Sequence, residues 1–186
     1  MKWGMLLGMM LVFTGISILP GNANGGPVSG VGVTIGQTQS SSQIDTGTTV
    51  FNIYRFSCTG QSLEFDYQNV LSGHASLNYF FQYSMEYNQF KWPVRKNILG
   101  LGLRIWGAEE YFLGLHGGVY YMEVGENSYA KQQGILSGLV FGMESKSGLI
   151  LRFEDNTLLP TENQNGFTAS PGSMFRLSIG YRFGGE

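Results

Sequence analysis

The stretch MFRLSIGYRFGGE, residues 174–186, decides the fold. From Phe175 onward every second residue is apolar: Phe175, Leu177, Ile179, Tyr181 and Phe183. The residues between them, Arg176, Ser178, Gly180 and Arg182, are small or cationic. A period of two marks a β-strand whose two faces meet different surroundings.

The same alternation runs back through the chain. In residues 77–88, Leu77, Tyr79, Phe81, Tyr83, Met85 and Tyr87 oppose Asn78, Phe80, Gln82, Ser84, Glu86 and Asn88. In residues 63–69, Leu63, Phe65 and Tyr67 oppose Glu64, Asp66 and Gln68. Leu99, Leu101, Leu103 and Ile105 oppose Gly100, Gly102, Arg104 and Trp106, and segments 111–123, 135–144 and 149–155 repeat the pattern. Weaker segments at 28–38 and 48–57 bring the candidate strands to nine. Turn residues separate them at Thr59-Gly60, Ser72-Gly73, Gly107-Ala108 and Lys146-Ser147-Gly148. Two longer polar connections, Gly125 to Gln133 and Thr157 to Ser173, read as loops, the second exposed and mobile. A closed antiparallel barrel with both ends on one side needs an even number of strands. The expectation is therefore eight, with ten the alternative. Segment 28–38 is then the odd one out, either outside the wall or the product of a mis-split strand.

Alternation alone fits a soluble sandwich, with its apolar rows inward, or a membrane barrel, with them outward. The polar rows are rich in Gly and poor in Lys, which suits a crowded lumen better than a solvated exterior. Charged residues make up only 13% of the chain, against 28 Gly, 13 Phe and 10 Tyr. Tyr87, Phe90, Trp92, Trp106, Tyr111, Phe112, Tyr120, Tyr121 and Phe183 cluster near strand ends, where amphipathic rings favour the headgroup level. The reading is an all-β, antiparallel transmembrane barrel. Closure pairs every backbone group within the wall, so its single cysteine, Cys58, need form no bridge. In its CTG context Cys58 reads as a small surface residue.

The N-terminus reads as a secretory signal peptide. Lys2 precedes an apolar stretch from Met5 to Leu19, shorter than the ~20 residues a helical span needs. Gly21 and Ala23 offer a cleavage site after Ala23, leaving residues 24–186 as one barrel domain. A net charge of −2 and the lack of a basic run argue against nucleic acid as a partner.

The leader, the short alternating strands, the Gly-rich GLGLRIW and EYFLGLHGGVYYM runs, and the terminal FRLSIGYRF together resemble the small outer-membrane β-barrel family that includes OmpA and OmpX. The resemblance implies residence in the outer membrane, contact with its lipid and lipopolysaccharide, and no cofactor. It also implies that the last strand, Phe175 to Phe183, is read by the barrel assembly machinery. Here Gly184, Gly185 and Glu186 follow Phe183, where the family usually stops.

The facing assignment puts Glu64, Asp66, Glu86, Glu144 and Glu154 in the lumen with Arg104, Arg152, Arg176 and Arg182. Buried ions must pair, and eight strands leave an interior that side chains fill, so a plugged lumen is expected. His74 and Ser76 share a face in SGHASLN, with Glu86 downstream on the lumen parity. A base, a nucleophile and an orienting carboxylate would make a hydrolase. The spacing resembles the His-x-Ser of lipid A deacylase barrels, but Leu77 stands where Asn follows Ser there. His116 reads as a lumen histidine hydrogen-bonded to a carboxylate; two histidines without a cysteine or carboxylate cluster do not make a metal site. Three functions follow: a non-enzymatic barrel that meets an extracellular ligand through its loops in adhesion, envelope integrity or evasion of host defence; a narrow channel; and a lipid-modifying hydrolase.

Overall fold

The computed structural model describes residues 27–45, 53–107, 110–125, 130–163 and 168–184. The leader, residues 1–23, lies outside them. Eight strands follow in order: β1 (Gly30–Asp45), β2 (Ile53–Ser72), β3 (Ala75–Asn88), β4 (Pro93–Trp106), β5 (Tyr111–Val124), β6 (Ala130–Glu144), β7 (Leu149–Asn163) and β8 (Thr168–Phe183). Each pairs antiparallel with the next, and β1 pairs with β8 to close a barrel.

Closure depends on the segment that looked superfluous. Ile35 of β1 sits opposite Leu63 of β2 on one side and Ile179 of β8 on the other. The excess strand arose from a mis-split. Segments 48–57 and 63–69 overlap a single 20-residue strand, β2, and Thr59-Gly60 is no turn. Gly60 lies in the ladder between Thr38 and Glu86, where a Cβ would meet the Met85 carbonyl. The glycine there serves close packing, which composition alone cannot distinguish from a turn.

The expected loop over Thr157 to Ser173 is mostly strand. β7 continues to Asn163 and β8 begins at Thr168, with Thr157 opposite Ser173 and Leu158 opposite Gly172. Pro160, which cannot donate to the ladder, sits where the β6 register slips between Gln133 and Gly134. Likewise β6 starts at Ala130, so the Gly125 to Gln133 connection is half strand.

The short turns lie at one end with both ends of the barrel wall. At Ser145 to Gly148, Ser145 N–H donates to the Leu149 carbonyl at 2.8 Å, and Gly148 takes the left-handed φ of 88° that favours glycine. At the opposite end the β3–β4 turn is tied by Asn88, whose Oδ1 accepts from the Phe90 and Trp92 amides at 3.0 and 2.9 Å.

The apolar rows face outward. Leu101, Leu113, Leu115, Val119, Phe141 and Leu177 remain more than half exposed, while Gln68, Ser76, Gln82 and Arg176 on the other parity are buried. An exposed apolar girdle around a polar interior is the inverse of a soluble protein and matches a wall solvated by lipid. Three of the expected rim aromatics turn inward: Trp106, Phe112 and Tyr120 are buried on the lumen parity. Tyr87, Phe90, Trp92, Tyr111 and Phe183 do stay exposed.

Candidate functional site

Inward side chains on seven strands build one ionic network. Arg176 on β8 donates to Glu64 on β2 at 2.5 Å, Glu154 on β7 at 2.8 Å, Ser62 at 2.8 Å and Thr34 on β1 at 2.7 Å. Arg152 bridges to the next layer, 2.6 Å from Glu64 and 3.3 Å from Asp66. Asp66 also meets Arg104 at 3.2 Å and Arg182 at 3.1 Å, and accepts from Asn78 on β3 at 3.2 Å. Arg182 closes the layer on Glu144 of β6 at 2.8 Å. These pairs are almost fully buried, where an unpartnered ion is costly and multiple hydrogen bonds are needed to offset desolvation.

A second ionic site was not anticipated. Lys96 on β4 is fully buried and donates to Glu86 at 2.7 Å and to Ser40 at 2.6 Å. With Lys96, the five lumen carboxylates face five lumen cations among the described residues. Its signal was available: extending the β4 alternation back from Ile98 puts Lys96 and Val94 on the inward parity.

Apolar side chains pack beside these ion pairs. Around Lys96 and Glu86 lie Cys58, Val94, Ile98, Tyr120, Met122, Leu136, Leu158 and Met174, all buried. Cys58 is therefore not a surface residue; it belongs to this lumen cluster at 1% exposure. Its thiol should resist maleimide in the folded barrel and label fully once the protein is unfolded in urea, read as a mass increment. At the other end, the Trp106 and Phe112 rings lie 4.9 Å apart, the Arg104 guanidinium rests 4.7 Å over Phe112, and Trp106 Nε1 donates to Ser76 Oγ at 3.0 Å. Inward glycines make room for such side chains: a Cβ on Gly142 would meet Phe112 Cζ at 2.5 Å, and one on Gly102 would meet His116 Cβ at 2.9 Å.

The hydrolase constellation is not assembled. His74 is exposed in the β2–β3 turn, while Ser76 is buried and occupied by Trp106. Glu86 lies ten residues further along β3, roughly 33 Å away at strand rise. It is held by Lys96 and Ser40. His116 pairs with the Asn156 side-chain amide rather than a carboxylate, and its ring lies 5.4 Å from that of Phe80. The ladder dictates that partner, since Gly138 stands between His116 and Asn156 and leaves the gap open.

A closed eight-stranded antiparallel wall, apolar outside and ion-paired inside, defines a transmembrane β-barrel of the small outer-membrane type. Its fold is similar to that of Ail, the attachment invasion locus protein of Yersinia pestis, in complex with the heparin analogue sucrose octasulfate. That likeness has a TM-score of 0.57 at 12% identity and covers 84% of this chain and 100% of the other. A second Ail structure gives a TM-score of 0.50 at 10% identity over the same shares of the two chains. The outer membrane protein OprG from Pseudomonas aeruginosa aligns with a TM-score of 0.48 at 12% identity, covering 86% of this chain and 99% of OprG. No family model and no curated protein matches the sequence.

Proposed function

We propose that the protein is a non-catalytic barrel of the outer membrane that acts through its extracellular end, as an adhesin, rather than through its lumen. The observation that carries this is the crowded interior, in which ion pairs and buried apolar side chains occupy the described levels from Trp106 to Met122. Eight strands leave little more than side-chain space, and here that space is spent on stability. Long connections mark the outward end of such barrels, and here that is the end opposite the chain termini.

At that end the wall carries a polar collar. Outward residues Gln37, Gln39 and Ser41 of β1 and Ser57, Thr59 and Gln61 of β2 are exposed and continue the strands past the apolar girdle. Beside it the β3–β4 turn presents Phe90 and Trp92, each more than half exposed, with ring centroids 5.9 Å apart. Contacts on a rigid scaffold concentrate in such places. The likeness in fold to an attachment protein favours adhesion over the other roles a surface barrel can play, although fold alone does not assign function. Export by the leader and recognition of the last strand, Phe175 to Phe183, by the assembly machinery belong to the same reading.

Two measurements test it. In planar lipid bilayers the purified barrel should show no stepwise single-channel conductance; regular steps would favour the channel reading instead. Bacteria displaying the full chain should adhere to epithelial monolayers more than vector controls. Replacing Phe90 and Trp92 by serine should remove most of that gain without altering the heat-modifiable band on SDS gels. Equal adherence of displaying and control cells would overturn the adhesin.

A further inference from the structure

The outward face of β4, β5 and β6 is graded in three rows set by the register. Leu99, Val119 and Ile135 form an apolar row; Asn97, Tyr121 and Gln133 form an amphipathic row; Arg95, Glu123 and Lys131 form a charged row nearest the extracellular end. The whole change takes four residues of strand, about 13 Å. The first two rows and Phe81 line an open groove of about 550 Å³ on the outer wall.

In the charged row one carboxylate serves two cations. Glu123 lies 3.9 Å from both Arg95 and Lys131, whose side chains are 36% and 37% exposed, and it accepts from the Tyr121 hydroxyl at 3.1 Å. Exposed pairs at that distance are weak and exchange readily for a stronger anion. Lys91 stands on the turn above Arg95. The opposite wall differs. Along β8, β1 and β2 the outward side chains described there are Ser173, Gln37, Gln39, Thr59 and Gln61, all uncharged, and β7 adds the carboxylate of Asp155. Among the described side chains, the rim cations are thus gathered on one side, directly above a groove that begins at the apolar girdle.

We propose that this wall binds a phosphorylated, multiply acylated glycolipid of the outer leaflet. A phosphate sits on Arg95 and Lys131, where charge-assisted hydrogen bonds replace the long contacts to Glu123. An acyl chain lies in the groove against Phe81, Leu99, Val119 and Ile135. The amides and hydroxyl of Asn97, Gln133 and Tyr121 fall between phosphate and chain, at the level where an acylated amino sugar carries its own amides and hydroxyls. A glycerophospholipid has only esters there, so the middle row selects the glycolipid.

The test is native mass spectrometry of the full-length barrel in mild detergent, with bisphosphorylated lipid A, its dephosphorylated form, and phosphatidylglycerol as probes. Bisphosphorylated lipid A should be retained preferentially, and R95Q/K131Q should lower its retention about tenfold, the value of one strong charge-assisted contact. Q39A/T59A on the opposite wall should retain it unchanged. The site is overturned if R95Q/K131Q binds as the parent does, if the dephosphorylated lipid is retained equally, or if phosphatidylglycerol displaces lipid A at equal concentration. Should R95Q/K131Q lack a heat-modifiable band, K131Q alone carries the same comparison. Because these readouts do not involve adherence, failure here leaves the adhesin reading standing, and the reverse.

Discussion

Replacing Arg176 by methionine should destabilise the barrel by about 3–5 kcal/mol, the cost of removing one partner from a buried ionic cluster. Arg176 is fully buried and binds Glu64, Glu154, Ser62 and Thr34. Methionine fills comparable volume but leaves Glu154 with no ion-pair partner at close range, since Glu64 retains Arg152 at 2.6 Å. The urea midpoint for loss of the heat-modifiable band reads the effect. R176M/E154Q should recover part of the loss, because the second change removes the stranded charge, and coupling within such a network runs to about 0.5–3 kcal/mol. Lysine at the same position should recover little: a single ammonium does not reproduce the guanidinium fork that spans Ser62, Thr34 and two carboxylates. A loss no larger than that of an exposed arginine would mean the network does not hold the wall together.

Replacing Leu101 by arginine should cost about 2–4 kcal/mol if the residue faces the bilayer midplane, and replacing Asn97 should cost about 0–1 kcal/mol near the interface. Leu101 is 56% exposed on the outward parity of β4, opposite Tyr79 and Gly117. Asn97 lies four residues nearer the extracellular end of the same strand. The comparison is made by urea unfolding in phospholipid vesicles. Equal, near-neutral costs would reverse the facing of every strand and put the leucine rows in a core.

The facing was legible because the side-chain period of a strand has no ambiguity once one face is apolar. From Phe175, Leu177 and Ile179 the parity extends across the wall, and the nine ionic residues named from it, from Glu64 to Arg182, all lie inside. Lys96 escapes the sequence reading because that reading starts the strand at residue 97, four residues after its actual start at Pro93. Strand ends were less legible. Above the girdle the outward Gln37, Gln39 and Ser41 meet water while Thr38 and Ser40 are buried, so neither face is apolar there; at Thr157 and Leu158 the apolar side chain is the buried one, although the ladder continues through both. Trp106, Phe112 and Tyr120 were misplaced for a related reason: an aromatic near a strand end suits either the headgroup level or a lumen with glycine beside it.

Alternation, a low content of charge and an even strand count are properties of the chain read locally, and they sufficed for a closed barrel with lipid outside and ions within. Which ion meets which is a property of closure. Arg176 reaches Glu64 across 112 positions, and Arg182 reaches Asp66 across 116, because the stagger of eight strands, rather than spacing along any one of them, brings those levels together. The same stagger stacks Arg95, Glu123 and Lys131 from three strands into one row. Ser76 and Glu86 share a parity, yet ten residues of β3 hold them at different heights. Local pattern selects a face; only the closed wall selects a height.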